Sequence, residues 1–145
     1  VIRNVIIYNE VIMFTKTFAS LINHDVFITD SLEILGKITN NEIYKKLINN
    51  SINDLSNGKE LSLAFKNNWA FPDTAYEMLS TGERTGKMGE MMENVSKYYQ
   101  EQQKTLVTQL KSLIEPVMIV ILAILVGLIV LSIVIPMFDM YKQID

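Results

Sequence analysis

At 145 residues the chain has room for one ordinary domain, yet 49% hydrophobic against 20% charged residues is too apolar for a domain that meets only water. A net charge of −3 at pH 7 advertises no basic surface for nucleic acid. No cysteine occurs, so neither a disulfide framework nor a zinc site that needs a thiolate is available.

Residues 1–9, "VIRNVIIYN", are rich in β-branched residues and read as an N-terminal linker, either extended or the end of a preceding segment. The opening valine fits a piece of a longer protein. From Glu10 the spacing is helical, with Val11, Phe14, Phe18 and Leu21 with Ile22 on one face. Asn23, His24 and Asp25 tolerate a left-handed turn, and the capping-box pattern from Asp30 to Glu33 restarts a helix that carries Leu32, Leu35 and Ile38 inward. A third helix holds Tyr44, Leu47, Ile48, Ser51, Ile52 and Leu55 in a 3.6-residue stripe, with Gly58 placed at its C′ position.

A short fourth helix contains Leu61, Ala64 and Phe65. "NNWAFPD" then breaks the pattern, with Trp69 expected as a loop anchor and Pro72 as the first residue of a fifth helix that ends at Gly82. A long sixth helix keeps phase from Met88 through Met92, Val95, Tyr99, Leu106 and Leu110 to Ile114. Its methionines read as core.

Residues 117–135, "VMIVILAILVGLIVLSIVI", carry no charge, and 19 residues at about 1.5 Å each span roughly the 30 Å of a hydrocarbon core. Glu115 and Pro116 stand at its start, where proline predicts a kink or restart at the bilayer surface. Within the span, Ala123 and Gly127 form a small-x-x-x-small pair that permits close helix contact and points to a homo-oligomer. Lys97, Lys104 and Lys111 precede the span and only Lys142 follows it, which places the large domain in the cytoplasm and the short C-terminus on the periplasmic side. The expected organisation is all-α: a linker at 1–9, a six-helix antiparallel cytoplasmic bundle at 10–114, one C-terminal transmembrane helix at 115–138 and a tail at 139–145.

"GERTGKMGEMME", residues 82–93, has the residues of a phosphate loop but not its form. Three residues rather than four separate Gly82 from Gly86, Met88 stands where a magnesium-binding hydroxyl belongs, and a helix rather than a strand precedes it. His24 is the only histidine and reads as a polar turn residue; Glu90 with Glu93, or Asp25 with Asp30, could share a cation, but none has the spacing of a calcium loop. No nucleophile elbow is present. The expectation is no catalytic, cofactor or metal site.

In order along the chain, "FTKTFASLI", "SLEIL", "NGKELSLAF", "AFPDTAYEMLSTGERTGKMGEMMENVSKYYQEQ" and "LIEP" leading into a terminal span resemble the type II secretion F-domain family. These are inner-membrane platform proteins of type II secretion and type IV pilus assembly systems. Gly82, Glu83, Thr85 and Gly86 within "GERTG" carry the most specific part, reinforced by Glu115 and Pro116. The resemblance implies two copies of a six-helix cytoplasmic domain with three spans, of which this chain looks like the second copy and the last span. It also implies a mechanical, non-enzymatic role with a hexameric cytoplasmic ATPase, pilin or pseudopilin subunits and other inner-membrane assembly proteins as partners. Gly82 and Gly86 would shape the turn into the sixth helix, Glu83 would anchor it, and Pro116 would set the angle into the membrane. Asn23 and His24 depart from the family, which commonly has a glycine at that turn. The alternative reading is a tail-anchored helical adaptor without a secretion role.

Overall fold

The computed structural model describes residues 2–144, which form five α-helices and one 3-10 turn: α1 (Ile2–Asn23), α2 (Ile28–Ile38), α3 (Glu42–Ser56), the 3-10 turn Leu61–Phe65, α4 (Asp73–Thr85) and α5 (Met88–Lys142). No strand occurs among the described residues. The chain divides into two compact units, one ending at Thr105 and the other beginning at Leu106.

The core of the first unit is aromatic. Phe14 lies 5.6 Å from Phe18, 5.2 Å from Phe65 and 5.9 Å from both Tyr44 and Phe71, ring centre to ring centre. All five rings are buried, in the offset and edge-on arrangements that aromatic quadrupoles favour. Leu32 and Leu35 from α2, Leu47 and Ile48 from α3, and Met92 and Val95 from α5 close around them. The stripes read from 3.6-residue spacing therefore supply most of this core. Ile38 is an exception, half exposed at the end of α2.

Several element boundaries differ from those expected. Residues 2–9 are helical and continuous with α1, because Ile7 and Tyr8 pack on the core and extend the helix toward its N-terminus. α2 starts at Ile28, before the supposed capping box, and its N-cap Phe27 makes no side-chain cap bond. Asp25 takes the left-handed turn at φ 62°, so the bend forms without glycine. The fourth element is a 3-10 turn rather than an α-helix, since its first two amides are held by a side chain from α4. Six helices are thus five and a 3-10 turn.

Pro72 is the N-cap of α4 rather than its first residue, with ψ 148° keeping it outside the helix. Gly82 lies inside α4, and Gly86, at φ 71°, is the left-handed cap that ends it. At the third element the expectation and the structure coincide: α3 ends at Ser56 and Gly58 follows at φ 72°.

The expected sixth helix and the membrane span are one helical segment. α5 continues through Pro116 and Pro136 without a break, although each proline removes one backbone donor. In an apolar stretch the remaining backbone groups can be satisfied only within a helix, which favours continuation over restart. Residues 117–135 bear no charge, and their large side chains are exposed, as a lipid-facing helix requires. This helix makes the chain a membrane protein. α1 is also long and apolar enough to cross a bilayer, but Val11, Phe14, Thr15, Phe18 and Ala19 are buried in the domain core.

Candidate functional site

The family-specific stretch around Gly82 folds into a clamp. Gly86 closes α4 with a Schellman-type turn: its amide and that of Lys87 both bond to the Gly82 carbonyl, the latter at 2.9 Å. Thr85 Oγ1 donates to the Thr81 carbonyl at 2.7 Å, so its side chain serves its own helix. α5 then begins at Met88, two residues beyond the cap.

Gly82 is needed for proximity rather than for an unusual backbone angle. A Cβ there would lie 2.9 Å from Met88 Cα and 3.1 Å from Met91 Cβ. The start of α5 thus rests directly on the backbone of α4. Gly89, which the sequence reading did not single out, faces side chains of α1 instead, where a Cβ would collide with that of Asn23. A glycine in the first turn of a helix, where it is a poor helix former, is the signal that could have found it.

Glu83 anchors a different partner from the one expected. Its Oε1 accepts from the Leu61 amide at 2.6 Å and its Oε2 from the Ser62 amide at 3.1 Å. The carboxylate thus caps the 3-10 turn, not the turn into α5, satisfying two amides that no helical carbonyl reaches. Arg84 grips the preceding residue, with Nε 3.3 Å and Nη2 3.4 Å from the Glu60 carboxylate oxygens. That hydrogen bond, with the carboxylate's charge, raises the guanidinium pKa above its ordinary value. From the opposite side, Ser51 Oγ donates to the Leu61 carbonyl at 3.1 Å. "GER" and "KELS", more than twenty residues apart in sequence, are therefore one constellation.

Further support comes from Tyr44, whose hydroxyl donates to the Ala70 carbonyl at 2.8 Å beneath the Trp69 loop. Burial pushes its pKa well above the ordinary phenol value, and burial likewise pushes Tyr99 up to about 12. Trp69 is not the anchor of that loop. Asn67 at φ 53° turns the chain and Asn68 Oδ1 accepts from the Ala70 amide, so that Phe71 points inward while Trp69 stays 60% exposed.

A polar cleft of about 420 Å³ opens between α1 and α5, lined by Lys16, Asn23, His24, Glu93 and Lys97 among others. His24 Nδ1 lies 2.6 Å from the Ser20 carbonyl, which fixes the ring as a cap on the end of α1. Glu93 is engaged by Lys97 at 3.2 Å. Among the described residues no three His, Cys, Asp or Glu side chains are grouped to hold a metal ion. Glu115 and Pro116 lie in the second unit, and Pro116 borders a shallow apolar hollow with Val117, Val120 and Ile121.

Residues 14–136 match the family model described as type II secretion system (T2SS), protein F, which takes in the aromatic core, the clamp and the span. The chain belongs to this family. The type IV pilus assembly protein PilC of Pseudomonas aeruginosa is 27% identical over 136 residues, covering 93% of this chain and 36% of its own length. The type II secretion system protein F of Aeromonas hydrophila is 24% identical over 132 residues, 91% of this chain and 34% of its own. A shorter match, 37% over 70 residues, covers 48% of this chain and 17% of the Haemophilus influenzae protein transport protein HofC homolog. The chain spans about a third of the length of the pilus assembly relatives it matches. In this F-family chain the clamp joins α4 to the 3-10 turn through backbone amides, and Gly82 brings α4 against the start of α5.

Proposed function

We propose that the chain is part of an inner-membrane platform protein of a type IV pilus or type II secretion machine, and that its helical domain couples a cytoplasmic assembly ATPase to polymerisation of pilin or pseudopilin. The observation that carries this reading is the family match, which runs through both the domain and the membrane helix. The names of the relatives, in pilus assembly and in type II secretion, support the same machine class. The lysines before the span support a cytoplasmic domain and a periplasmic C-terminus.

The role is mechanical. Gly82 and Gly86 set the corner between α4 and α5, Glu83 and Thr85 stiffen the helix that leads into it, and Glu115 with Pro116 marks the entry to the membrane. A force delivered by the hexameric ATPase to the bundle reaches α5 through those backbone contacts, with other inner-membrane assembly proteins and further copies of the same protein completing the platform. Deleting the gene tests this: surface pili or secreted substrate should disappear while pilin accumulates in the membrane, and re-expression should restore both. Normal assembly in the deletion strain refutes the role.

A further inference from the structure

We infer that the cleft between α1 and the first turns of α5 is a binding site for an oxyanion, a phosphate or carboxylate group. The cleft lies wholly within the first unit, so the inference depends neither on the membrane helix nor on the secretion role. Tyr8 meets Tyr99 at one end of the seam between the two helices, with ring centres 5.1 Å apart, and Asn23 meets Gly89 at the other. Along that seam the floor is made of small side chains, Ala19 and Ser96, 3% and 4% exposed, which leave about 420 Å³ open above them. Against roughly 30 Å³ for one water in the liquid, that is room for a small organic anion.

The groups around that space are donors in excess. Lys16 has neither a carboxylate partner nor a hydrogen bond among the described residues. Ser96 Oγ accepts from Gln100 Nε2 at 3.2 Å, which leaves the hydroxyl proton of this buried side chain without an acceptor among the described residues. The Asn23 amide likewise donates no hydrogen bond among them. The one carboxylate in the cleft, Glu93, is already held by Lys97 at 3.2 Å. Two lysines against one glutamate make the cleft net positive in a chain of net charge −3. His24 Nδ1 donates to the Ser20 carbonyl, and the amides of His24 and Asp25 cover those of Leu21 and Ile22, so the negative end of α1 is screened from the site. An ammonium, a buried hydroxyl proton and an amide are the donors that recognise phosphate or carboxylate oxygens, and concave walls concentrate their field.

His24 is the only histidine and borders the cleft, so a single imidazole resonance reports the site in the full chain held in detergent. The chain carrying isotope-labelled histidine would be titrated with inorganic phosphate and, separately, with citrate, at fixed pH and ionic strength and with sodium chloride as the reference. A saturable shift of the His24 signal is expected with at least one of the two anions, half complete at or below about 1 mM, and none with chloride. The tighter anion names the group: phosphate a phosphoryl ligand, citrate a carboxylate one. Lys16→Gln should weaken binding about tenfold through loss of one charged hydrogen bond, and Ser96→Ala about fivefold. Lys16→Arg should keep the affinity, as should Lys59→Gln, which removes a lysine outside the cleft. Lys16 is exposed, so its variants keep the fold and the test stays decisive where Ser96→Ala disturbs the packing. No saturable shift up to about 10 mM of either anion overturns the inference, and so does an affinity that Lys16→Gln leaves intact.

Discussion

Alanine at position 82 sets a helix-propensity gain against a steric cost, and the geometry decides the sign. Gly82 lies inside α4, where alanine alone would gain about 1 kcal/mol. The new Cβ would stand 2.9 Å from Met88 Cα and 3.1 and 3.2 Å from Met91 Cβ and Cγ, against about 3.5–4.0 Å for a relaxed carbon contact. Met91 Cγ can swing away. Met88 Cα cannot move without shifting the first turn of α5, which Gly89 seats against Asn23 on its other side. The cost should therefore lie in the upper half of the about 1–3 kcal/mol seen for overpacking, a net loss of about 1–2 kcal/mol. Gly36→Ala is the control. It is also within a helix, and its Cβ would meet only Ile48 Cγ2 at an ordinary 3.5 Å, so it should gain about 0.5–1 kcal/mol. Urea unfolding of the full chain in detergent, followed by loss of helical circular dichroism, measures both. If Gly82→Ala is as stable as the parent while Gly36→Ala gains, the close contact between α4 and α5 does not exist as described.

Glu83→Gln should cost about 2 kcal/mol in the same assay, because it replaces one of the two accepting carboxylate oxygens with an NH2 donor that faces the Leu61 or Ser62 amide; a change within about 0.5 kcal/mol, the span of ordinary surface substitutions, refutes the clamp. Tyr44→Phe leaves the buried Ala70 carbonyl without its partner and should lose about 1–3 kcal/mol. Phe14→Ala, at the centre of the aromatic cluster, should lose about 3–5 kcal/mol. The pH dependence has a set sign. Tyr99 is pushed up to about 12 and Tyr44 is raised as well, both above the ordinary 10.0, so the unfolded chain releases phenolic protons first. Their contribution is whole below about pH 10 and is lost as pH rises from about 10 through about 12. Urea midpoints measured over that range should fall, and less steeply for Tyr44→Phe. A flat profile to pH 12 refutes the burial assigned to both rings.

Local pattern revealed the apolar faces of α1, α3 and α5, since Val11, Phe14, Tyr44, Leu47, Met92 and Val95 declare themselves by spacing alone. Gly58 was legible for the same reason, because a left-handed cap is a property of one residue, whereas the end of α4 was read at Gly82 rather than at the left-handed Gly86. Contacts distant in sequence were not. Glu83 shapes Leu61 and Ser62 from 22 and 21 positions away, so nothing in "ELSLAF" announces a 3-10 turn. Trp69 looked like an anchor because large aromatic rings usually are, but Phe71 fills that place and the turn at Asn67 points Trp69 out. Gly82 read as a helix end in sequence and Gly89 was not singled out; packing shows that Gly82 marks contact with the α5 backbone and Gly89 contact with the Asn23 side chain.

Those two glycines have a mechanical consequence. The base of α5 is seated like a shaft between two bearings, α4 on one side and α1 on the other. Rolling it by one residue, about 100°, would set a full side chain in place of Gly89 against Asn23, whose side chain would have to swing aside, and would carry Met88 and Met91 off the bare Cα of Gly82. Turning the base of α5 in place therefore means repacking its contacts with both neighbours at once.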